Sequence, residues 1–214
     1  MAFGFFKRGG SAQTTEPPAG GAKIVRRSSG LTELNKLISG REEMTVLDLG
    51  PTSPPNIRYL TERGHSFYNE DVLLSSFDPV YAVKDDKGNP TVNVEKFLTE
   101  NLKHKSEQFD LVLAWDVPDY LPEPIVKPLV DKLAASMRPG GVLLAFFHTR
   151  DAGPDAPYYR YHLAGTDSLE LQRGPQFRLQ RVFNNRHIEN LFREFASIKF
   201  FLARDNVREV LVVR

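Results

Sequence analysis

Two short and almost wholly apolar runs constrain this chain more than any other feature: FDLVLAW at residues 109–115 and GVLLAFF at residues 141–147. Neither alternates apolar with polar residues, as a strand with one wet face would, so each is expected to be a strand buried on both sides. Between them, residues 125–137 carry apolar side chains at helical spacing and close on RPGG, a turn sequence. Strand, helix and strand in succession make a βαβ unit, which sets its two strands parallel.

The same rhythm extends toward the amino terminus. LTELNKLIS places Leu31, Leu34, Leu37 and Ile38 on one helical face, and Gly40 follows as a stop. TVLDLG, residues 45–50, is a further buried strand. Ser53 followed by Pro54 reads as a helix cap and its first residue, and that helix runs to Gly64. HSFYNED, residues 65–71, is the next strand. Residues 72–92 are the least readable part, with a turn at KDDKGNP; TVNV, residues 91–94, is a short strand, and residues 95–105 form a helix with Phe97, Leu98 and Leu102 on one face.

The carboxyl-terminal part breaks the rhythm. FNNRHIENLFREF is a helix with Asn184 or Asn185 as its cap. SIKFFLA and REVLVV follow, joined by so short a turn at residues 204–206 that they must run antiparallel. Residues 151–182 are expected to be a β-rich insertion, with PYYRYHL, SLELQ and FRLQRVF as short strands. The fold class is therefore α/β: a Rossmann-like, mostly parallel sheet with helices on both faces and a C-terminal antiparallel hairpin.

Composition narrows the function. The chain has 214 residues and no cysteine, which removes disulfides, thiolate zinc sites and thiol nucleophiles together. A net charge of +1 gives no global field toward nucleic acid, which is not an expected partner. No apolar run approaches the roughly 18–20 residues of a membrane span. Residues 1–30 are Gly-, Ser- and Pro-rich and hold five basic residues against one acid, as expected for a disordered basic tail ahead of a domain at 31–214. Phe3, Phe5 and Phe6 beside Lys7 and Arg8 would give that arm at most a weak peripheral membrane contact. The apolar residues precede the charges, the reverse of a secretory signal, so the expected location is the cytoplasm.

The order of these motifs resembles that of class I S-adenosylmethionine-dependent methyltransferases, over about residues 31–214. VLDLG at 46–50 looks like the family's first strand, and Glu70 and Asp71 stand about twenty residues on, where its second strand ends. FDLVLAWDVPDYL at 109–121 looks like the fourth strand and its loop, and MRPGGVLLAFF at 137–147 like the fifth. The resemblance implies S-adenosylmethionine as cofactor and a small-molecule or protein methyl acceptor. Asp48, Gly50, Glu70, Asp71 and Asp116 are the implied cofactor residues, with an acid at the second strand's end gripping both ribose hydroxyls. Ligands of open parallel sheets lie beyond the strands' carboxyl ends, which puts Gly50, Glu70, Asp71, Asp116 and His148 around one mouth. His148 and Tyr120 are the candidate catalytic residues, His148 because its titration range suits a proton acceptor at neutral pH. Asp119 fits either a turn or an acceptor contact.

One departure stands out. Where the family has a Gly-rich loop, Gly50 is followed by PTSPPN, and Pro51, Pro54 and Pro55 have no amide hydrogen to donate. Either the loop holds the cofactor with fewer main-chain donors, or the chain is a catalytically inactive relative that uses its insertion to bind a partner. The absence of GxGxxG counts against a nicotinamide dehydrogenase. Tyr158, Tyr159, Arg160 and Tyr161 cluster near the expected substrate mouth, where they could stack on a flat acceptor or grip an anion. His65, His162 and His187 have no metal-ligand spacing, so no metal is expected.

Overall fold

The central sheet has six strands, and the order in which the chain visits them places the site. In the computed structural model, which describes residues 24–150, 158–175, 177–202 and 205–214, the chain opens with β1 (Ile24–Arg27) and α1 (Ser29–Ile38). It continues through β2 (Thr45–Asp48), α2 (Pro54–Thr61), β3 (Ser66–Asn69) and the short α3 (Val72–Ser76). A small hairpin, β4 (Ala82–Lys84) and β5 (Pro90–Val92), precedes α4 (Val94–Asn101). Then come β6 (Phe109–Trp115), α5 (Val117–Tyr120), α6 (Glu123–Ser136) and β7 (Met137–His148). The last elements are β8 (Tyr159–Leu163), β9 (Ser168–Arg173), α7 (Asn185–Leu191), β10 (Ser197–Leu202) and β11 (Val207–Val213).

The strand order is β10-β11-β7-β6-β2-β3. β3, β2, β6 and β7 are mutually parallel, whereas β11 runs antiparallel to β7 and to β10. From β2 the chain moves outward to β3 and then returns to β6 on the other side of β2. The order reverses between β2 and β6, the position where open α/β sheets leave a crevice for ligand.

Strand alternation sorts the core into two layers. Leu47, Val112, Ala114, Leu143 and Phe147 face α4, α6 and α7, contributing to one buried cluster with Phe97, Ile125, Leu129 and Ile188. Val46, Leu111, Leu113, Leu144 and Phe146 point to the opposite face. There they pack with Leu31 and Leu34 of α1, Leu60 of α2, and Tyr161, Leu163, Leu169 and Leu171 of a second sheet ordered β1-β9-β8. Among the described residues no helix is long and apolar enough to cross a membrane.

Local chemistry sets several boundaries. Ser53 Oγ accepts from the Asn56 amide at 3.1 Å and Pro54 opens α2, while Asn184 caps α7 through the His187 amide at 2.9 Å. Other expectations change. RPGG lies inside the long β7 rather than merely closing α6, with Gly140 at a φ of +74°. FRLQRVF is not a strand: the Gln180 and Arg181 amides donate to the Asp119 carbonyl, in α5, at 2.8 and 3.2 Å. TVNV supplies β5, paired antiparallel with β4 around the KDDKGNP turn.

Of the tail expected over residues 1–30, residues 1–23 lie outside the described residues, together with Phe3, Phe5, Phe6, Lys7 and Arg8. Its last part is ordered. β1 pairs with β9 from Ile24↔Leu171 to Arg27↔Ser168. Arg26 is buried, with its guanidinium 2.5 Å from Asp205 and 2.8 Å from the buried Glu209, and 4.8 Å from the centre of the Phe146 ring. Glu209 also accepts from the Gly30 amide and Ser28 Oγ at the start of α1, so one carboxylate ties β1, α1 and β11 together.

Candidate active site

At the carboxyl end of β2, Asp48 is 1 % exposed and both of its oxygens are in use. Oδ1 accepts from the Gly50 amide at 2.9 Å and from Trp115 Nε1 at 2.7 Å, and Oδ2 accepts from Asn56 Nδ2 at 2.9 Å. Asn56 also donates to the Tyr161 carbonyl at 3.0 Å and accepts from the Leu163 amide at 2.7 Å. One buried side chain on α2 thereby joins β2 to β8. Gly50 has no room for a side chain, because a Cβ there would meet Trp115 Cδ1 at 2.9 Å.

Trp115 ends β6 with a φ of +49°, a left-handed conformation that costs a bulky residue roughly 1–3 kcal/mol and persists only when the surroundings fix it. Here its indole is fixed by Asp48 on one side and by the Tyr161 ring, stacked at 5.2 Å and 10°, on the other. Tyr161 Oη donates to Asp116 Oδ2 at 2.9 Å. The neighbouring His162 Nδ1 lies 2.7 Å from Ser53 Oγ, at the start of α2. β8 is thus seated directly over the ends of β2 and β6.

A second group surrounds the loop after β6. Asp119 is fully buried, and its Oδ2 accepts from the His148 amide at 2.6 Å and lies 2.8 Å from His148 Nδ1. The Tyr120 ring stands edge-on to His148 at 5.7 Å and to Tyr158 at 5.1 Å. Among the described residues, Asp116 Oδ1, Asp119 Oδ1, Tyr120 Oη and Tyr158 Oη are buried with no hydrogen-bond partner. Leaving buried polar atoms unmatched is costly, so four at one place mark where a polar ligand or water is expected.

Burial also governs the charges. It pushes Asp48 and Asp116 up to about 6 and Asp119 up to about 7. For His148, burial works against the charged ring, but the Asp119 hydrogen bond and the charges of Asp116, Asp119 and Asp205 outweigh it and raise its pKa. Burial beside Asp116 raises Tyr120, Tyr158 and Tyr161, which therefore stay protonated near neutrality and act as donors rather than bases.

These shifts share one sign. An unfolded carboxyl titrates near 3.8, so between about pH 4 and 7 the folded chain holds protons that the unfolded chain has released. The stability from these acids is complete below the unfolded pKa and is lost as pH rises through the folded values. The urea midpoint is expected to fall between pH 5.5 and 8, and denaturation followed by circular dichroism at the two pH values checks this.

The expected site residues divide into separate groups. Asp48 and Gly50 meet at Trp115, and Asp116, Tyr120 and His148 meet around Asp119. Asp71 caps α3 by accepting from the Leu74 amide at 3.1 Å; burial raises its pKa, and Arg160 is close enough to oppose that rise. Its charge still reaches the Tyr158 hydroxyl, as do those of Asp116 and Asp48. Glu70 is different: its carboxylate is partly exposed and lies 3.3 Å from His104 Nε2. Sequence reasoning missed Asn56, whose only signal was an amide in the first turn of a helix that follows the cofactor-loop position.

A family model described as a methyltransferase domain matches residues 26–197. The chain belongs to that methyltransferase-domain family. Among solved structures, a Sulfolobus solfataricus protein described as a type 11 methyltransferase aligns at a TM-score of 0.50 and 13 % identity, over 85 % of this chain and 89 % of that one. A Burkholderia thailandensis 1,6-didemethyltoxoflavin-N1-methyltransferase, with 1,6-didemethyltoxoflavin and S-adenosylhomocysteine bound, aligns at 0.49 and 14 % identity, over 86 % and 76 %. An S-adenosylmethionine-dependent methyltransferase from Mesorhizobium loti aligns at 0.47 and 12 % identity, over 85 % and 96 %. No curated protein matches the chain. At such identities the first of these likenesses bears on the fold alone, and that fold is the Rossmann-like, mostly parallel sheet expected from the sequence.

Proposed function

We propose that this methyltransferase-family chain binds S-adenosylmethionine where β2 and β6 end, and uses it to methylate a small-molecule or protein acceptor. One observation supports this above the others: beside the carboxylates of Asp48, Asp116 and Asp119, the atoms Asp116 Oδ1, Tyr120 Oη and Tyr158 Oη are buried and have no partner among the described residues. Carboxylates grouped with phenol rings suit a ligand that carries cations, and S-adenosylmethionine has both a sulfonium and an ammonium. When bound, it supplies a methyl group attached to positively charged sulfur.

The chain's own residues bind and orient. Asp48 and Gly50 hold the loop after β2, Asp116 offers its second oxygen, and Asp71, with Glu70 beside it, is the acid for the ribose hydroxyls. Pro51, Pro54 and Pro55 leave the loop short of amide donors. Arg160 compensates, alternating with Tyr161 so that it shares the face of β8 on which His162 meets Ser53. Its Nε is buried without a partner among the described residues, which suits a carboxylate. His148 and Tyr120 stand on the acceptor side, His148 to take a proton and Tyr120 to donate a hydrogen bond.

A second reading, a non-catalytic relative, draws on a different observation. Asn56, Trp115 and Tyr161 fill the space between Asp48 and Asp116 and use three of their four carboxylate oxygens. Calorimetric titration separates the two. The first reading expects saturable heat with S-adenosylmethionine and S-adenosylhomocysteine and none with NAD. It also expects Arg160→Met to weaken S-adenosylhomocysteine about tenfold while sparing 5′-methylthioadenosine, which has no carboxylate. Folded protein that gives no heat with either sulfur ligand supports the second.

A further inference from the structure

We propose that Asp119 is a positioning residue that fixes His148 as the proton acceptor for the methyl-accepting nucleophile, an inference that rests on the methyltransferase reading above. α5 starts where β6 ends, and His148 closes the neighbouring parallel strand β7, so the topology brings the two side chains together. Asp119 Oδ2 receives the His148 amide at 2.6 Å and faces Nδ1 at 2.8 Å. An ionised carboxylate only accepts, so Nδ1 carries the proton and, in the neutral ring, Nε2 carries the lone pair.

The mount is rigid. The Asp119 carbonyl is held by the Gln180 and Arg181 amides, and the imidazole is braced by the Tyr120 ring standing edge-on. The Asp119 side chain is fully buried, whereas that of His148 keeps 16 % exposure, so the ring reaches from a dry carboxylate toward the accessible side. Among the described residues, the charged groups that act on it are Asp116 and Asp119 from the end of β6 and α5, and Asp205 from the turn between β10 and β11. Each favours the imidazolium when it is ionised.

The proton step balances without a further reagent. An acceptor O–H or N–H gives its proton to Nε2, and the bonding pair stays on oxygen or nitrogen as the lone pair that receives the methyl group, whose bond to sulfur breaks with its electrons left on sulfur. The imidazolium so formed is paired with Asp119. The acceptor class is therefore a hydroxyl or N–H compound, since a carboxylate arrives already ionised and needs no base.

Two measurements on the full chain test this. Nitrogen-15 spectra of the histidine rings above their titration range should show His148 with its proton on Nδ1, and a proton on Nε2 overturns the proposal. Diethyl pyrocarbonate acylates unprotonated imidazole, so its labelling of His148 against pH, read by peptide mass spectrometry, reports the ring's pKa. Asp119→Asn should move that midpoint down by roughly one unit, the scale of a lost carboxylate partner, and an unchanged midpoint overturns the proposal. If the variant does not fold, the ring tautomer in the unsubstituted protein decides. S-adenosylhomocysteine should slow the labelling, and calorimetric binding without any slowing places His148 outside the site and sinks the idea. No heat at all defeats the methyltransferase reading, while the tautomer and the midpoint still judge the dyad.

Discussion

Asp116→Asn should make the protein more stable at pH 8 and a weaker binder of S-adenosylmethionine. The carboxylate is 1 % exposed, its Oδ2 accepts from Tyr161, and among the described residues its Oδ1 has no side-chain partner. Burial raises its pKa from 3.8 to about 6, so at pH 8 the folded state carries a charge it would rather lose. Linkage over a shift of about two units corresponds to a few kcal/mol at most. Asparagine keeps an oxygen for the Tyr161 hydroxyl and fits the same space, but its amide must find an acceptor. A net gain of about 1–2 kcal/mol remains, or about 2–8 °C in Tm for a domain of this size. Binding should fall at least about tenfold, because the variant removes the charge that a sulfonium would meet in a dry site. Scanning calorimetry and titration on the same preparation read both effects. A lower Tm together with unchanged affinity would place Asp116 among the purely structural residues. At pH 5 the stability difference should shrink, since the wild-type side chain is then largely protonated.

What the sequence made legible follows the range of the forces involved. β6 was readable to the residue because a run apolar but for Asp110 and bounded by polar residues fits little else. The Ser53 and Asn184 caps were readable because a cap is a contact three residues long. β1 was not: IVRR sits in a Gly- and Ser-rich stretch, and its strand character comes from β9, nearly the whole domain away. FRLQRVF shows the converse, alternation in a segment whose amides at Gln180 and Arg181 are taken by the Asp119 carbonyl instead of a neighbouring strand. In the site, Asp48 and Asp116 could be picked from their place at strand ends. Glu70 and Asp71 could not be told apart, and the structure separates them by burial and partner, Glu70 toward His104 and Asp71 onto α3. Asn56, and the pairing of Asp119 with His148, depend on β8 and β7 lying over distant loops. No local pattern encodes that.

Asn56→Ala should be the most destabilising single change at the site, at about 3 kcal/mol. The side chain is fully buried and makes three bonds besides its place in α2: to Asp48 Oδ2, to the Tyr161 carbonyl and from the Leu163 amide. Alanine leaves two acceptors and one donor without partners in a dry site, each costing about 1–3 kcal/mol before relaxation or entering water reduces the sum. The loss should not be uniform. β8 is held over the site by Asn56, by the Tyr161–Trp115 stack and by the Ser53–His162 contact, so losing Asn56 should loosen β8 before the central sheet opens. Hydrogen exchange should therefore rise in residues 159–163 while β6 and β7 keep their protection. Asn56→Asp offers a sharper comparison, since it retains an acceptor for Leu163 but sets a second carboxylate against Asp48. That variant should be worse than alanine at pH 8 and recover as the pair takes up a proton toward pH 5. Equal stability of the two variants across this range would mean that water reaches Asp48, and that the seat of β8 over the strand ends is not dry.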